Sequence, residues 1–393
     1  MRILSEPLKM AIDDALRIID KHIPIKPKEP TRKYNAKDYI DLLTTAAILR
    51  RTPEKIWRAI AKKSNHRSIP SPDALFYHIN KLDKNDIIRF VEEMVDISIE
   101  RARSLGFLKK PVDVAIDIHD WLYYGKKNDW VLGTKPRNGA KYAFKYITAS
   151  IVSGKAKLHV AVLPMETYDD AKKLIVPILG RLIRELKIRI VYLDRHFYHV
   201  TVVEYLKRLS VRFVIQAPEV AEVRAILGKE TRKVRVVKGF KMSYGSGGLH
   251  VTSVNLFAVP SRHRRRKRIC FITNVAVNPN NARELAESYR KRWNIETSYR
   301  VIKHVFLPRT ASRSGVVRFF FFAFGVCLFN LYVPALLRLG CLSGSCSQHL
   351  AFCGLEFLFV FSLAINGSSD TPLCLFGFGE KCMEAESEAP RGV

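Results

Sequence analysis

The stretch VDVAIDIHDW, residues 112–121, decides the fold class. Val112, Val114, Ile116 and Ile118 fall on one parity, and Asp113, Ala115, Asp117 and His119 on the other. Period-two alternation with β-branched residues predicts a strand with one strongly apolar face. Asp117 then lies on the less apolar face of a central strand. Downstream, in RIVYLDRHFY (189–198), Ile190, Val191, Tyr192 and Leu193 form an apolar run too short for a helix, and Asp194 closes it. A carboxylate at the C-terminal end of a buried strand is costly unless it is paired or binds a metal. The competing reading makes Asp194 the N-cap of a following helix near 198–208.

A third acid comes from RELAESYRKRWNIETSYRVIKH, residues 283–304. Here Tyr289, Arg292, Glu296 and Lys303 stand in the order Tyr-x2-Arg-x3-Glu-x6-Lys. At 3.6 residues per turn they fall within roughly a 60° sector of one helix. The plain alternative is a solvated helix face. Trp293 and Tyr299 on the same helix can stack on a base or pack in the core. Asp117, Asp194 and Glu296 make a set of hard oxygen ligands, which on a basic protein suits Mg²⁺ or Mn²⁺. Two such ions roughly 3.5–4 Å apart activate a water or hydroxyl and stabilise the leaving oxygen in phosphoryl transfer.

On these residues the chain resembles a DDE transposase of the prokaryotic insertion-sequence type, in the group that carries the Tyr-Arg-Glu-Lys signature. IDIHDWLYYGKK (116–127) resembles the first catalytic strand of a subgroup common in archaea. LDRHFY (193–198) is similar to the second acidic motif, and FITN (271–274) to the segment ahead of the catalytic helix. The resemblance spans residues 35–337. It implies that Asp117, Asp194 and Glu296 are the catalytic residues and the ligands of two Mg²⁺ (or Mn²⁺) ions. It also implies that Tyr289, Arg292 and Lys303 contact the DNA backbone and the terminal nucleotide near the cut. His196 departs from the wider group, where a small residue is usual. Further candidate DNA contacts are Trp293, Arg300 and the basic run RHRRRKR (262–268), with Arg262, Arg264, Arg265 and Arg266; a solvated hairpin tip is the alternative for that run.

The implied fold class is α/β: a ribonuclease-H-like catalytic domain with a β-rich insertion, preceded by an all-helical N-terminal domain. Its core has three strands, a helix, a strand, a helix and a strand. Residues 1–34 form an N-terminal helix and a Pro-rich basic linker, and 35–108 a helical DNA-binding domain. Within that domain KIWRAIAKK and DALFYHINKL flank the basic turn SNHRSIPSP, as in a helix-turn-helix variant or an ordinary bundle. Residues 109–217 are the first part of the core, 218–275 the β-rich insertion, and 276–338 the catalytic helix and the C-terminal helix of the core. Asn278 and Pro279 are read as the cap and first residue of the catalytic helix. Thr167 to Asp170 resembles a capping box, which gives Asp169 and Asp170 a structural role.

Composition narrows the class. A net charge of +29 over 393 residues points to a polyanionic partner, with affinity that falls steeply with salt. The expected partners are DNA at the element's terminal inverted repeats and target DNA, bound by a homodimer or larger assembly. The N-terminal residues lack the continuous apolar core of a signal peptide, and the cysteines show no CxxC pair; both point to a cytoplasmic, nucleoid-associated protein. FFFFAFGVCLFNLYVPALL (319–337) nearly meets the length of a membrane span, but Asn330 and Pro334 favour a buried helix behind the catalytic sheet and no stable membrane association. Residues 339–393 hold five of the seven cysteines and carry −4 against +33 for the rest. That composition break suggests a divergent or frame-shifted end of a decayed element. Three rivals to an active transposase remain: a catalytically silent DNA-binding remnant acting as a repressor, a structure-specific nuclease of the same fold, and a membrane protein.

Overall fold

The computed structural model describes residues 14–15, 17–25, 34–63, 69–244, 250–261 and 268–338. The basic run from Arg262 through Arg264, Arg265 and Arg266 lies outside these residues, as do part of the SNHRSIPSP turn and the 339–393 tail. The chain divides into two compact units. One holds residues up to Arg101 together with those from Ser298 onward, and the other is Ala102–Thr297.

The first unit is helical. Its helices are α1 (Ala36–Ile48), α2 (Pro53–Lys63), α3 (Pro72–Asn80) and α4 (Lys84–Ser104). Asn35 and Asp38 close a reciprocal capping box on α1, at 3.2 and 2.7 Å. Ser71 caps α3 ahead of Pro72, its hydroxyl accepting from the Ala74 amide at 3.2 Å.

The second unit is a mixed α/β fold on a nine-stranded sheet. Its strands are β1 (Val112–Tyr123), β2 (Leu132–Arg137), β3 (Ala140–Ile151), β4 (His159–Met165), β5 (Ile188–Leu193), β6 (Phe213–Ala217), β7 (Arg235–Tyr244), β8 (His250–Pro260) and β9 (Arg268–Thr273). They are joined by α5 (Asp170–Glu185), α6 (Val200–Arg208) and α7 (Ala221–Leu227). The order is β2-β3-β1-β5-β6-β9-β8-β7, with β4 paired to β3. β1 runs antiparallel to β3, with Asp117 opposite Thr148, and parallel to β5, which is parallel to β6.

β1 is central, as the alternation of 112–121 requires, but both of its faces are buried from Val112 to Asp117. The less apolar face is buried along with the apolar one: Asp113 and Asp117 sit inside because partners meet them. The segment read as an insertion forms β7, β8 and β9. β9 pairs antiparallel with β6, so these strands extend the same sheet. Asp170 accepts from the Glu166 and Thr167 amides at 2.7 Å each, which bears out its structural role.

The helix ahead of Glu296 is not one continuous α-helix. It runs as α8 (Ala282–Tyr289), a 3₁₀ turn Arg290–Arg292, α9 (Trp293–Val301) and a π-helical turn Ile302–Phe306. α8 starts three residues later than Asn278 suggests. Asn278 instead closes the preceding turn, its Oδ1 accepting from the amides of Asn280 and Asn281 at 2.9 and 3.1 Å.

The last described helix, α10 (Gly315–Arg338), belongs to the helical unit. It is long and apolar enough to cross a membrane by length and composition, yet its apolar window is entirely buried within the fold. Phe320 stacks on Phe90, Phe321 on Phe76, and Tyr332 lies 5.4 Å from the Phe306 ring. The helix is buried as expected, and these contacts are to helical segments of the same unit.

Candidate active site

Asp117 occupies the middle of the central strand and is 8% exposed. Burial pushes its carboxyl up from 3.8 to about 7, and the nearby charges of Asp194 and Glu296 push the same way, against the Arg292 guanidinium. Asp194 follows directly on β5, the strand paired to β1, so the parallel register brings the two acids toward one end of the sheet. Its carboxylate accepts from the His196 amide at 2.9 Å and meets His196 Nδ1 at 2.7 Å. The capping reading therefore holds in part: Asp194 caps the 3₁₀ turn Arg195–Phe197, while α6 is capped by His199. The bulky His196 found in place of a small residue is thus a carboxylate partner, and this bond holds its imidazole pKa above the ordinary value.

Arg292 links the other two acids. It lies 3.3 Å from Asp117 Oδ2 and 2.7 Å from Glu296 Oε1. It is 9% exposed, and its Nε has no hydrogen-bond partner among the described residues. Tyr289 is 5% exposed and donates its hydroxyl to the Leu193 carbonyl at 3.1 Å. Its ring packs on Tyr192 and Phe271. Sequence spacing suggested an open stripe of phenol, cations and carboxylate. The 3₁₀ turn rotates Tyr289 and Arg292 inward instead, so that they tie the helix to β5 and β1. Glu296 remains exposed.

Among the described residues, no three His, Cys, Asp or Glu side chains stand close enough to enclose a metal. Asp194 is turned to His196, and Arg292 spans Asp117 and Glu296. The donor set nonetheless fits a hard divalent cation. Burial, and after it the charges of Asp194 and Glu296, hold the Asp117 carboxyl well above its ordinary pKa, and the Arg292 guanidinium already stands where positive charge offsets that cost.

Beside the acids lies a cavity of about 650 Å³. Its apolar floor includes Val259, Ile269 and Phe271, and its rim carries Arg195, Arg283 and Arg290. Trp293 also lines it and is 63% exposed, whereas Tyr299 is core. These three arginines and Gln216 carried no sequence signal of their own, because they converge only when β6, β8 and β9 join one sheet with α8. Arg268 ends the predicted phosphate-facing run but turns inward, pairing with Glu219 at 2.7 Å. Arg300 and Lys303 are exposed and belong to the helical unit.

Residues 109–331 match the sequence model of the family described as the transposase DDE domain. Among curated protein sequences none matches significantly. One similar solved structure is a piggyBac transposase synaptic complex with hairpin DNA, at 13% identity and a TM-score of 0.49, covering 98% of this chain and 84% of that one. The family match runs over more than half of the chain and contains β1 with Asp117, the end of β5 with Asp194 directly after it, and α9 with Glu296, and on that match the chain belongs to the DDE transposase family.

Proposed function

We propose that the protein is a transposase that cleaves DNA at the ends of its own insertion sequence and joins them to target DNA. It belongs to the insertion-sequence group with the Tyr-Arg-Glu-Lys signature, in the archaeal-type subgroup, and its catalytic core is ribonuclease-H-like. The observation that carries this reading is the Asp117–Arg292–Glu296 bridge on the central strand, with Asp194 acting on the same buried carboxyl.

Asp117, Asp194 and Glu296 would hold Mg²⁺ or Mn²⁺. When bound, two such ions supply activation of the attacking oxygen and stabilisation of the leaving one. The residues themselves do the rest. Arg292, released from the carboxylates, is placed to meet a phosphate. Tyr289 holds the helix against β5 so that Asp194 and Glu296 keep their spacing. Trp293 offers a stacking face at the rim of the cavity. In the first step water attacks a backbone phosphorus and the 3′-oxygen leaves as a hydroxyl. In the second that hydroxyl attacks a target phosphodiester, one P–O bond forming as another breaks, with no covalent protein–DNA intermediate. The partners are DNA at the terminal inverted repeats and target DNA, held by a homodimer or larger assembly in the cytoplasm, at the nucleoid. Arg262, Arg264, Arg265 and Arg266 serve as further phosphate contacts.

The test is cleavage and strand transfer on DNA bearing the element's ends, with Mg²⁺ or Mn²⁺, comparing wild type with Glu296→Gln. Metal-dependent 3′-hydroxyl ends and joined products, absent in the variant, are the expected outcome. Tight binding without cutting by either protein would identify a silent DNA-binding remnant. Cutting without joining would identify a nuclease.

A further inference from the structure

The helical unit carries exposed bases of its own. Helix α1 ends in a Schellman turn: the Arg50 amide donates to the Ala47 carbonyl at 3.0 Å and the Arg51 amide to the Ala46 carbonyl at 2.9 Å. The left-handed position of such a turn usually belongs to glycine, yet Arg50 holds it at φ 51°. A strained non-glycine residue at an exposed turn points to a use for its side chain. The Arg309 amide donates to the Arg51 carbonyl at 3.2 Å, which fastens the segment after the π-helical turn to this same loop. A π turn is itself a feature that concentrates at functional positions.

The result is a group of exposed bases drawn from two distant parts of the sequence: Arg50, Arg300, Lys303, His304 and Arg309. Partial burial lowers the His304 imidazole pKa, and the nearby charges of Arg50, Lys303, Arg300 and Arg309 push the same way. None of the five makes a side-chain hydrogen bond or ion pair among the described residues. Like charges held together on ordered backbone, with no carboxylate paired to them, form a ready site for a polyanion.

We propose that Arg50 and Arg309, with Arg300, Lys303 and His304, form a phosphate-binding cluster that grips the backbone of duplex DNA without reading its sequence. The proposal rests on DNA being the substrate and adds Arg50, His304 and Arg309 to the contacts. Phosphate contacts fix position and register rather than specificity, so the cluster acts on every duplex alike.

The test uses the full chain and a labelled random-sequence duplex, with affinity measured over a series of KCl concentrations. Wild type is compared with Arg50→Gly, Arg309→Ala and the double variant. Each lost contact should make the slope of log affinity against log salt shallower by about 0.9, and the double variant should lose about twice that. Arg50→Gly should also melt no lower than wild type, because glycine relieves the left-handed residue. That pairing of weaker binding with an undiminished Tm separates a DNA contact from a structural role. Unchanged slopes in all three variants would overturn the cluster, as would an affinity loss that tracks a lower Tm. If wild type cuts its own ends while the slopes stay fixed, only the cluster fails. If the slopes fall in a protein that never cuts, the cluster stands and the catalytic reading fails.

Discussion

At Asp117 burial and the charges of Asp194 and Glu296 oppose ionisation, while Arg292 and, less strongly, the Ile118 amide favour it. Raising a carboxyl from 3.8 to about 7 means that holding it ionised above neutral pH costs the fold on the order of 4 kcal/mol. Asp117→Asn should therefore raise the Tm of the metal-free protein at pH 8 while abolishing cleavage. A lower Tm in EDTA would show that the Arg292 bridge outweighs the burial. His159 gives the opposite sign. It is fully buried against Ser150 at 2.8 Å, and burial lowers its imidazole pKa from 6.5 to about 3. Below pH 6.5 the unfolded chain takes up a proton that the native state refuses. The stability present above that pH is then lost as the pH falls toward 3, at about 1.4 kcal/mol per pH unit. Urea unfolding of wild type and His159→Gln at pH 7 and pH 4.5 should show the variant losing about 2 kcal/mol less between the two. Equal losses would mean that His159 is protonated in the native state.

At the scale of elements, Asp113 decides how the 3₁₀ turn is held. It is fully buried on β1 and accepts from Arg189 on β5 at 2.6 and 2.5 Å and from Lys291 in the turn at 3.0 Å. Asp113→Ala should destabilise by about 2 kcal/mol, less than a fully buried pair because both cations keep contact with water. It should also lower cleavage by loosening Arg292. Full cleavage alongside the stability loss would separate the anchor from the site. The alternation of 112–121 and the run ending at Asp194 made β1 and β5 legible, because a half-polar or short apolar strand has few competing readings. β2, with the sequence LGTKPR, was not legible: it is an edge strand whose Lys, Pro and Arg need no apolar face. α7 was hidden by its short length within a β-rich stretch. The break at Arg290–Arg292 was invisible because 3.6-residue periodicity continues through it, and only the pull of Asp113, Asp117 and Leu193 shows why the backbone tightens there. Asp117, Asp194 and Glu296 stand out in the sequence as acids and the fold brings them to act on one another, but the inward turn of Tyr289 and Arg292 was not legible, since spacing gives direction only for an unbroken helix.

For the molecule as a whole the sequence poses one sharp alternative. A helix apolar on every side is either a membrane span or the centre of a core. α10 has a mean hydropathy of 2.0 over its most apolar window, and composition alone leaves both open. Its polar positions decide in favour of a core. Arg318 is buried but donates to the Ser312 carbonyl at 2.7 Å, and Asn330 is fully buried inside the helical unit. Gly325 lies where an added Cβ would come within 3.2 Å of the Phe306 carbonyl, so the π turn and α10 meet backbone to backbone. Phe320, fully buried against Phe90, should then behave as a core residue. Phe320→Ala should cost about 3–5 kcal/mol in urea unfolding. Gly325→Leu should be worse tolerated still, because neither backbone can retreat. A lipid-facing helix predicts the reverse: Phe320→Ala would leave the fold intact, and the wild-type chain would partition into the membrane fraction until detergent released it. Fractionation of wild type and urea unfolding of Phe320→Ala together decide between them, and a membrane-bound wild type with an unaffected variant would overturn the core assignment.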